Sequence, residues 1–102
     1  MDSALLVVDD DPSVGKVLGG LLRQASIDCE TVLSAEAALL KLASRPFEVV
    51  LTDVRMPGID GMGLLARLRA KWPETEVVMM TAHGTVALAV EAMKKGATEA
   101  GA

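Results

Sequence analysis

Acidic side chains follow two separate apolar segments of this sequence. Asp9 and Asp10 come directly after the apolar run 4–8, and Asp53 comes directly after the run 47–52. In an open parallel sheet, ligands bind at the carboxyl ends of the strands, near the point where the strand order reverses. If the two runs are neighbouring strands, Asp9, Asp10 and Asp53 should meet at that edge of the sheet.

Carboxylates at such short range repel one another, and each raises the pKa of its neighbours. A hard divalent cation removes this repulsion, and Mg²⁺ is well suited because it binds through one or two carboxylates and keeps waters for a phosphate. Thr81 follows the apolar run 77–80 and would direct a hydroxyl at the same edge, where the small Ala82 leaves an approach open. A carboxylate, a metal site and a hydroxyl donor together predict that Asp53 forms an acyl phosphate.

The alternative is that these acidic residues only cap the helices that follow them. Asp11 could do only that. Two adjacent carboxylates, Asp9 and Asp10, are more than one helix cap requires. Asp53 taken alone, without the rest of the cluster, would be equally compatible with a purely structural role.

Short apolar runs alternate with amphipathic segments along the whole chain. The apolar runs predict strands over 4–8, 27–32, 47–52 and 77–80. Apolar residues at helical spacing predict a helix after each strand, with ends set by Asp11 or Ser13, Ala25, Ser34, Pro46, Pro73 and Gly96. This βαβαβαβα order predicts one α/β domain over residues 1–102, with a three-layer, doubly wound parallel sheet between helices.

Composition excludes several classes of function. The net charge is −4, Phe47 and Trp72 are the only aromatic residues, and no long run of Lys and Arg occurs, so we expect no nucleic-acid binding. No apolar run reaches about 18 residues, so we expect no membrane span. The chain starts without a signal peptide pattern and its lone Cys29 cannot form an intrachain disulfide, which predicts a reduced, cytoplasmic location.

Four segments, in order and at matching spacing, resemble the receiver domain of two-component response regulators. They are Leu6–Asp11, Leu51–Gly61, Met80–Ala82 and Ala92–Ala97. The sequence Asp-Val-Arg-Met-Pro at 53–57 is most similar to receivers of the nitrogen-regulatory, enhancer-binding subgroup. The resemblance runs from about residue 3 to residue 97, and it implies a flavodoxin-like sheet with the strand order 2-1-3-4-5.

The resemblance also implies roles for the residues at the sheet edge. Asp53 would be the phosphoacceptor, and Thr81 would contact the phosphoryl group and act as a switch. The implied Mg²⁺ ligands are Asp9, Asp10, Asp53 and the backbone carbonyl of Arg55. Met56, Pro57 and Ala82 would modulate the site. The phosphodonor would be the phosphohistidine of a sensor histidine kinase, and the domain would be no enzyme beyond its own autocatalytic phosphorylation.

The sequence departs from this family pattern after residue 97. Receivers continue with a fifth strand, a Lys followed by Pro, and a fifth helix, whereas this sequence reads Thr-Glu-Ala-Gly-Ala and ends. Lys94 and Lys95 belong to the preceding predicted helix and cannot substitute for that Lys. We therefore expect a sheet of order 2-1-3-4 without the fifth strand and helix, and slower phosphorylation. We also expect a homodimer, an exchange of elements between chains, or a loosened C-terminal region.

Three explanations of this ending stay open: a chain cut short, a natural truncation, or a degenerate receiver used only for binding. Two other functions compete with phosphoacceptance. A phosphatase of the haloacid dehalogenase type would use the Asp-x-Asp at 9–11, but it also needs a lysine, a second acidic motif and a longer chain. A phosphorylation-independent module for protein interaction or dimerisation is the stronger alternative.

Overall fold

The computed structural model describes residues 4–80, and its helices and strands alternate as the sequence predicts. The strands are β1 (Leu5–Val8), β2 (Cys29–Val32), β3 (Val49–Asp53) and β4 (Glu76–Met80), and the helices are α1 (Pro12–Gln24), α2 (Ala35–Ser44) and α3 (Gly61–Lys71). Strand ends differ from the predicted ones by one or two residues. The predicted fourth helix and the predicted absence of a fifth strand and helix concern residues outside the described range.

All strand pairs of the sheet are parallel, and their order is β2-β1-β3-β4. In the register, Leu5 of β1 lies opposite Cys29 of β2 on one side and Val49 of β3 on the other. The predicted order 2-1-3-4 is therefore confirmed. This order makes β1 and β3 direct neighbours, and it brings together the two strand ends that carry the acidic residues.

Strand β1 is buried on both faces because helices cover both sides of the sheet. Leu6 and Val8 belong to a core cluster that includes residues of α2 and α3, whereas Leu5 and Val7 belong to a second cluster with Leu22 of α1. Alternate residues of the strand thus point into different cores, which explains why the run is continuously apolar. The predicted three-layer α/β fold is confirmed for the described residues.

Each helix begins at a polar side chain that caps it. Asp11 accepts a hydrogen bond from the N–H of Ser13 at 2.9 Å, and Pro12 is the first helical residue of α1. Of the two caps considered for this helix, Asp11 is the correct one. Ser34 caps α2 and Asp60 caps α3 in the same way, through the N–H groups of Ala37 and Gly63.

The edge strand β2 is tied to α2 by charged side chains. Glu30 forms ion pairs with Lys41 at 2.8 Å and with Arg45 at 2.6 Å. The hydrogen bond from Lys41 is the largest cause of a lowered pKa for the Glu30 carboxyl. Because Arg45 also lies over the Phe47 ring at 4.7 Å, this network joins β2, α2 and the segment that enters β3.

Glycines on one face of α1 let this helix lie close to β2. A Cβ atom on Gly15 would lie 3.3 Å from the Cβ of Thr31, and one on Gly19 would lie 3.8 Å from the Sγ of Cys29. Gly20, by contrast, would direct a Cβ atom into open space. Gly15 is therefore needed for close packing, whereas Gly20 carries only the conformational cost of glycine.

We expect Gly20→Ala to raise the free energy of unfolding by about 0.5–1 kcal/mol, because Ala loses less conformational freedom on folding. Gly15→Ala should gain less or lose stability, since Thr31 must shift to make room for the new Cβ. Urea denaturation of the two variants and the wild type measures both changes. Equal gains at the two positions would contradict the close packing of α1 on β2.

None of the described helices combines the length and the apolarity that a bilayer span requires.

Candidate functional site

The carboxyl ends of β1 and β3 meet at one edge of the sheet. Val8 pairs with Thr52, so the residues that follow each strand lie side by side. Asp9, Asp10 and Asp53 can each offer one carboxylate oxygen such that these atoms all lie within 4.8 Å of one another. The structure thus brings together the three carboxylates that the sequence places at these strand ends.

The three carboxylates differ in their exposure to solvent. Asp9 is 7% exposed, Asp53 is half-buried and Asp10 is exposed. Asp9 is also held in place, because its Oδ1 accepts a hydrogen bond from the N–H of Asp11 at 2.8 Å and its own N–H donates to the Val32 carbonyl at 3.2 Å. The cluster therefore has a fixed, buried member and a member open to solvent.

Burial raises the pKa of the Asp9 carboxyl above its ordinary value. The hydrogen bond from Asp11 opposes this shift, while the negative charges of Asp53, Asp10 and Asp11 add to it. Ionised Asp9 is therefore costly to this fold unless a positive charge lies nearby.

These residues fit a hard divalent cation. They provide carboxylate oxygens at mutually short range, and an opposite charge would remove the electrostatic cost that Asp9 carries. Mg²⁺ prefers oxygen ligands and keeps several waters, which suits a cluster that is open on the side of Asp10. Arg55, whose backbone carbonyl the resemblance adds to the ligand set, has an exposed side chain.

Comparison with known proteins decides the family. The sequence profile described as "Response regulator receiver domain" matches residues 5–100. The chain belongs to the response regulator receiver family. Both the fold and the acidic cluster agree with this membership, and the recognition from the four sequence segments is confirmed.

Similar proteins include two regulators and one solved receiver. This chain is 42% identical over 99 residues to the response regulator protein FleR of Pseudomonas aeruginosa. The match covers 97% of this chain but 21% of FleR. The chain is also 42% identical over 91 residues to the DNA-binding transcriptional regulator NtrC of Escherichia coli, covering 89% of this chain and 19% of NtrC. The chain thus spans about a fifth of these relatives.

The solved structure is the receiver domain of NtrX from Brucella abortus. It superposes with a TM-score of 0.72 at 32% identity and covers 90% of this chain and 78% of that one. Since the match extends over most of both chains, it supports the parallel α/β fold.

The receiver's loop between β3 and α3 is anchored in the core. Met56, predicted to modulate the site, is buried in the core cluster on the α2 and α3 side of the sheet, whereas Pro57 is exposed. Gly58 has φ +74°, a left-handed conformation that side chains rarely adopt, and Glu36 of α2 lies against it. The loop is therefore fixed at its middle by an apolar side chain and by the left-handed backbone at Gly58.

Sequence reasoning missed two contacts next to Asp53. The fully buried Thr52 donates a hydrogen bond from Oγ1 to the Asp53 carbonyl at 3.0 Å. Gly61, the first residue of α3, packs against the backbone of residues 53 and 54. A Thr between the apolar residues 49–51 and Asp53 was the signal that could have indicated the first contact.

Thr81 and Ala82 lie outside the described residues, so their predicted roles stay predictions. The described part of β4 ends at Met80, which pairs with Asp53 in the register. Lys94 and Lys95 also fall outside this range.

Proposed function

We propose that this receiver accepts a phosphoryl group on Asp53 from the phosphohistidine of a sensor histidine kinase, with Mg²⁺ bound at the site, in the cytoplasm. The observation that carries the proposal is the meeting of Asp9, Asp10 and Asp53 at the carboxyl edge of β1 and β3. This cluster occurs in a chain that belongs to the receiver family. Family membership supports two-component signalling, and the cluster supports a specific phosphoacceptor within it.

In the proposed reaction, a carboxylate oxygen of Asp53 attacks the phosphorus of the donor. A P–O bond forms, the P–N bond to the donor's imidazole breaks, and the imidazole nitrogen keeps the electron pair. The product is an acyl phosphate on Asp53. Asp53 is half-buried at the end of a central strand, so a rigid backbone presents it to an approaching donor.

Asp9 and Asp10 would hold the cation, together with Asp53 and the backbone carbonyl of Arg55. Bound Mg²⁺ supplies positive charge beside the phosphoryl oxygens. Asp9 is pre-positioned for this task by its hydrogen bond to Asp11, which fixes the side chain without using its second oxygen. Asp10 reaches the same cluster from the solvent side.

Residues beyond the described range would transmit the phosphorylated state of Asp53 to the rest of the protein. Thr81 would contact the phosphoryl group, and Ala82, Met56 and Pro57 would modulate access and stability of the site. Phosphorylation would then shift an existing equilibrium between two conformations. Because the chain spans about a fifth of FleR and NtrC, control of transcription through an output domain is also part of this proposal. No second substrate is turned over, so the domain is no enzyme beyond its autocatalytic modification.

The test is the intact mass of the protein after incubation with Mg²⁺ and a small acyl phosphate donor. We expect one added phosphoryl group on the wild type, none on Asp53→Asn, and one on Asp28→Asn. Asp28 is a matched control because it is an exposed aspartate that precedes β2, at the opposite edge of the sheet. An adduct on Asp53→Asn, or no adduct on a wild type that circular dichroism shows to be folded, would overturn the proposal.

A second candidate is a phosphorylation-independent interaction or dimerisation module. The exposed apolar side chains of α1 favour it, since Val17 is 62% exposed and Leu21 is 44% exposed. Sedimentation of the wild type, of Asp53→Asn and of the double variant Val17→Ser, Leu21→Ser separates the two functions. Self-association that depends on α1 but not on Asp53 would favour the second candidate, including a homodimer with exchanged elements.

A further inference from the structure

The backbone that follows Asp53 has unusually close neighbours for a loop. The chain leaves the sheet at Asp53, and two successive carbonyls accept hydrogen bonds at that point. The carbonyl of Asp53 accepts from Oγ1 of Thr52 at 3.0 Å, and the carbonyl of Val54 accepts from the N–H of Gly61 at 2.9 Å. These two bonds fix two peptide planes immediately beside the carboxylate cluster.

Gly61 approaches this segment more closely than any other residue type could. A Cβ atom on Gly61 would overlap the Asp53 carbonyl oxygen, and it would lie 2.9 Å from the Cα of Val54 and 3.1 Å from the Asp53 carbonyl carbon. All three atoms belong to the backbone and cannot rotate away as a side chain would. The site needs glycine here because of this close approach, whereas a positive φ at Gly61 plays no part.

We infer that Thr52 and Gly61 are positioning residues that clamp the backbone of residues 53 and 54 and thereby orient the Asp53 carboxylate and the Arg55 carbonyl. The inference deepens the proposed function and rests on it, because it concerns the same phosphoacceptor. On its amino side, Asp53 is held by the pairing of β3 with β1 and β4. On its carboxyl side, the clamp supplies the remaining constraint, so the direction of its side chain is set from both sides.

The rate of phosphoryl transfer depends on the orientation of the Asp53 carboxylate. A reacting group that is displaced by about 1 Å loses about 100-fold in rate, since its near-attack geometry is no longer populated. The Arg55 carbonyl follows the clamped residues directly, so the same clamp limits where that carbonyl can lie. Catalytic groups in general require such support from buried neighbours whose own positions are fixed.

The competing explanation is that Thr52 only satisfies its own buried hydroxyl. Its side chain is fully buried, and a buried hydroxyl without a partner would be costly. A purely structural role would change the stability of the fold, but it would leave the rate of phosphorylation and the affinity for Mg²⁺ unchanged in the folded protein. The two explanations therefore differ in measurable quantities.

The experiment compares Thr52→Val with Thr52→Ser in the full 102-residue chain. Val keeps the shape of Thr without the hydroxyl, and Ser keeps the hydroxyl. We expect Thr52→Val to lower the rate of phosphorylation by about fivefold to tenfold, corresponding to the loss of one hydrogen bond. Its affinity for Mg²⁺, measured by calorimetry, should fall as well, and Thr52→Ser should restore both quantities.

Gly61→Ala is the second variant, and Gly63→Ala is its matched control on the same helix. A Cβ atom on Gly63 would meet side-chain atoms of Ile59 and Asp60 at 3.1 and 3.3 Å, so these side chains need to shift by only a few tenths of an ångström, and no backbone atom is overlapped. We expect Gly61→Ala to lower the rate by about 100-fold and Gly63→Ala to leave it near the wild-type value. If Gly61→Ala does not fold, the Thr52 pair still decides the question.

The outcomes separate this inference from the proposed function. If wild type is phosphorylated on Asp53 and Thr52→Val matches it in both rate and Mg²⁺ affinity, the clamp is overturned while the proposed function stands. If wild type takes up no phosphoryl group, the proposed function fails. The Mg²⁺ affinities of the Thr52 variants then decide whether the clamp exists. Weaker binding by Thr52→Val that Thr52→Ser restores then supports the clamp, and unchanged binding overturns it.

Discussion

Without divalent cations, Asp9→Asn should be more stable than the wild type, by about 1–3 kcal/mol near pH 7, and with Mg²⁺ this advantage should disappear or reverse. The substitution removes one negative charge from a cluster whose oxygens lie within 4.8 Å of one another. Asn keeps an Oδ1 atom that can accept the hydrogen bond from Asp11, so the local backbone contact is preserved.

The change with pH follows from the raised pKa of Asp9. Between the ordinary value of 3.8 and the raised value, the folded state holds more protons than the unfolded state. The contribution of Asp9 to the free energy of unfolding therefore falls as the pH rises through this window, and the full cost is present above it. The stability difference between Asp9→Asn and the wild type should be large at neutral pH and small below pH 3.8.

Mg²⁺ should reverse this order, because we expect it to bind the folded wild type more tightly than the variant. A ligand at about 100 times its Kd stabilises the folded state by about 2.7 kcal/mol. The variant, which offers one carboxylate less, should gain only part of this amount. Urea denaturation with EDTA and with excess Mg²⁺, at neutral and acidic pH, measures all four conditions.

Asp28→Asn serves as the control for this experiment, because Asp28 is exposed and lies outside the cluster. It should shift stability by less than about 0.5 kcal/mol and respond to Mg²⁺ like the wild type. Equal stabilisation of Asp9→Asn and wild type by Mg²⁺, or a less stable Asp9→Asn in EDTA, would contradict the assignment of Asp9 to a cation site.

The acidic cluster could be predicted because it depends on features that sequence encodes directly. Strands buried on both faces appear as continuous apolar runs, as at Leu5–Val8, and the residue after such a run lies at the carboxyl edge. The order of the strands then decides which strand ends lie side by side. That order came from the resemblance of the four segments to the receiver family, and the sheet confirms it as far as β4.

The contacts behind Asp53 could not be predicted in the same way. The approach of Gly61 to residues 53 and 54 is decided by fractions of an ångström between two backbone segments, and periodicity carries no such information. The exact ends of the strands could not be predicted either. β2 begins two residues later than predicted, after Ser26 adopts a φ of 62° and the N–H of Ile27 bonds back to the Leu22 carbonyl. The predicted roles of Thr81 and Ala82 concern residues outside the described range.

Met56→Ala should lower the free energy of unfolding by about 2–5 kcal/mol, as expected for truncating a buried Met. Met56 is 9% exposed and belongs to the core cluster between the sheet and the α2 and α3 helices. Met56→Leu, which nearly conserves the volume, should cost less than about 1.5 kcal/mol. Urea denaturation of both variants in EDTA measures the two costs apart from any effect of Mg²⁺.

The same pair of variants tests whether this core contact also supports the site. Met56 directly follows Arg55, so a loop that loses its buried anchor should place the Arg55 carbonyl less precisely and bind Mg²⁺ more weakly. We expect weaker Mg²⁺ binding from Met56→Ala, measured by calorimetry on protein that is still folded, and near wild-type binding from Met56→Leu. Unchanged affinity in Met56→Ala would mean that the hydrogen bonds of Thr52 and Gly61 suffice to fix the loop, and that Met56 serves the core alone.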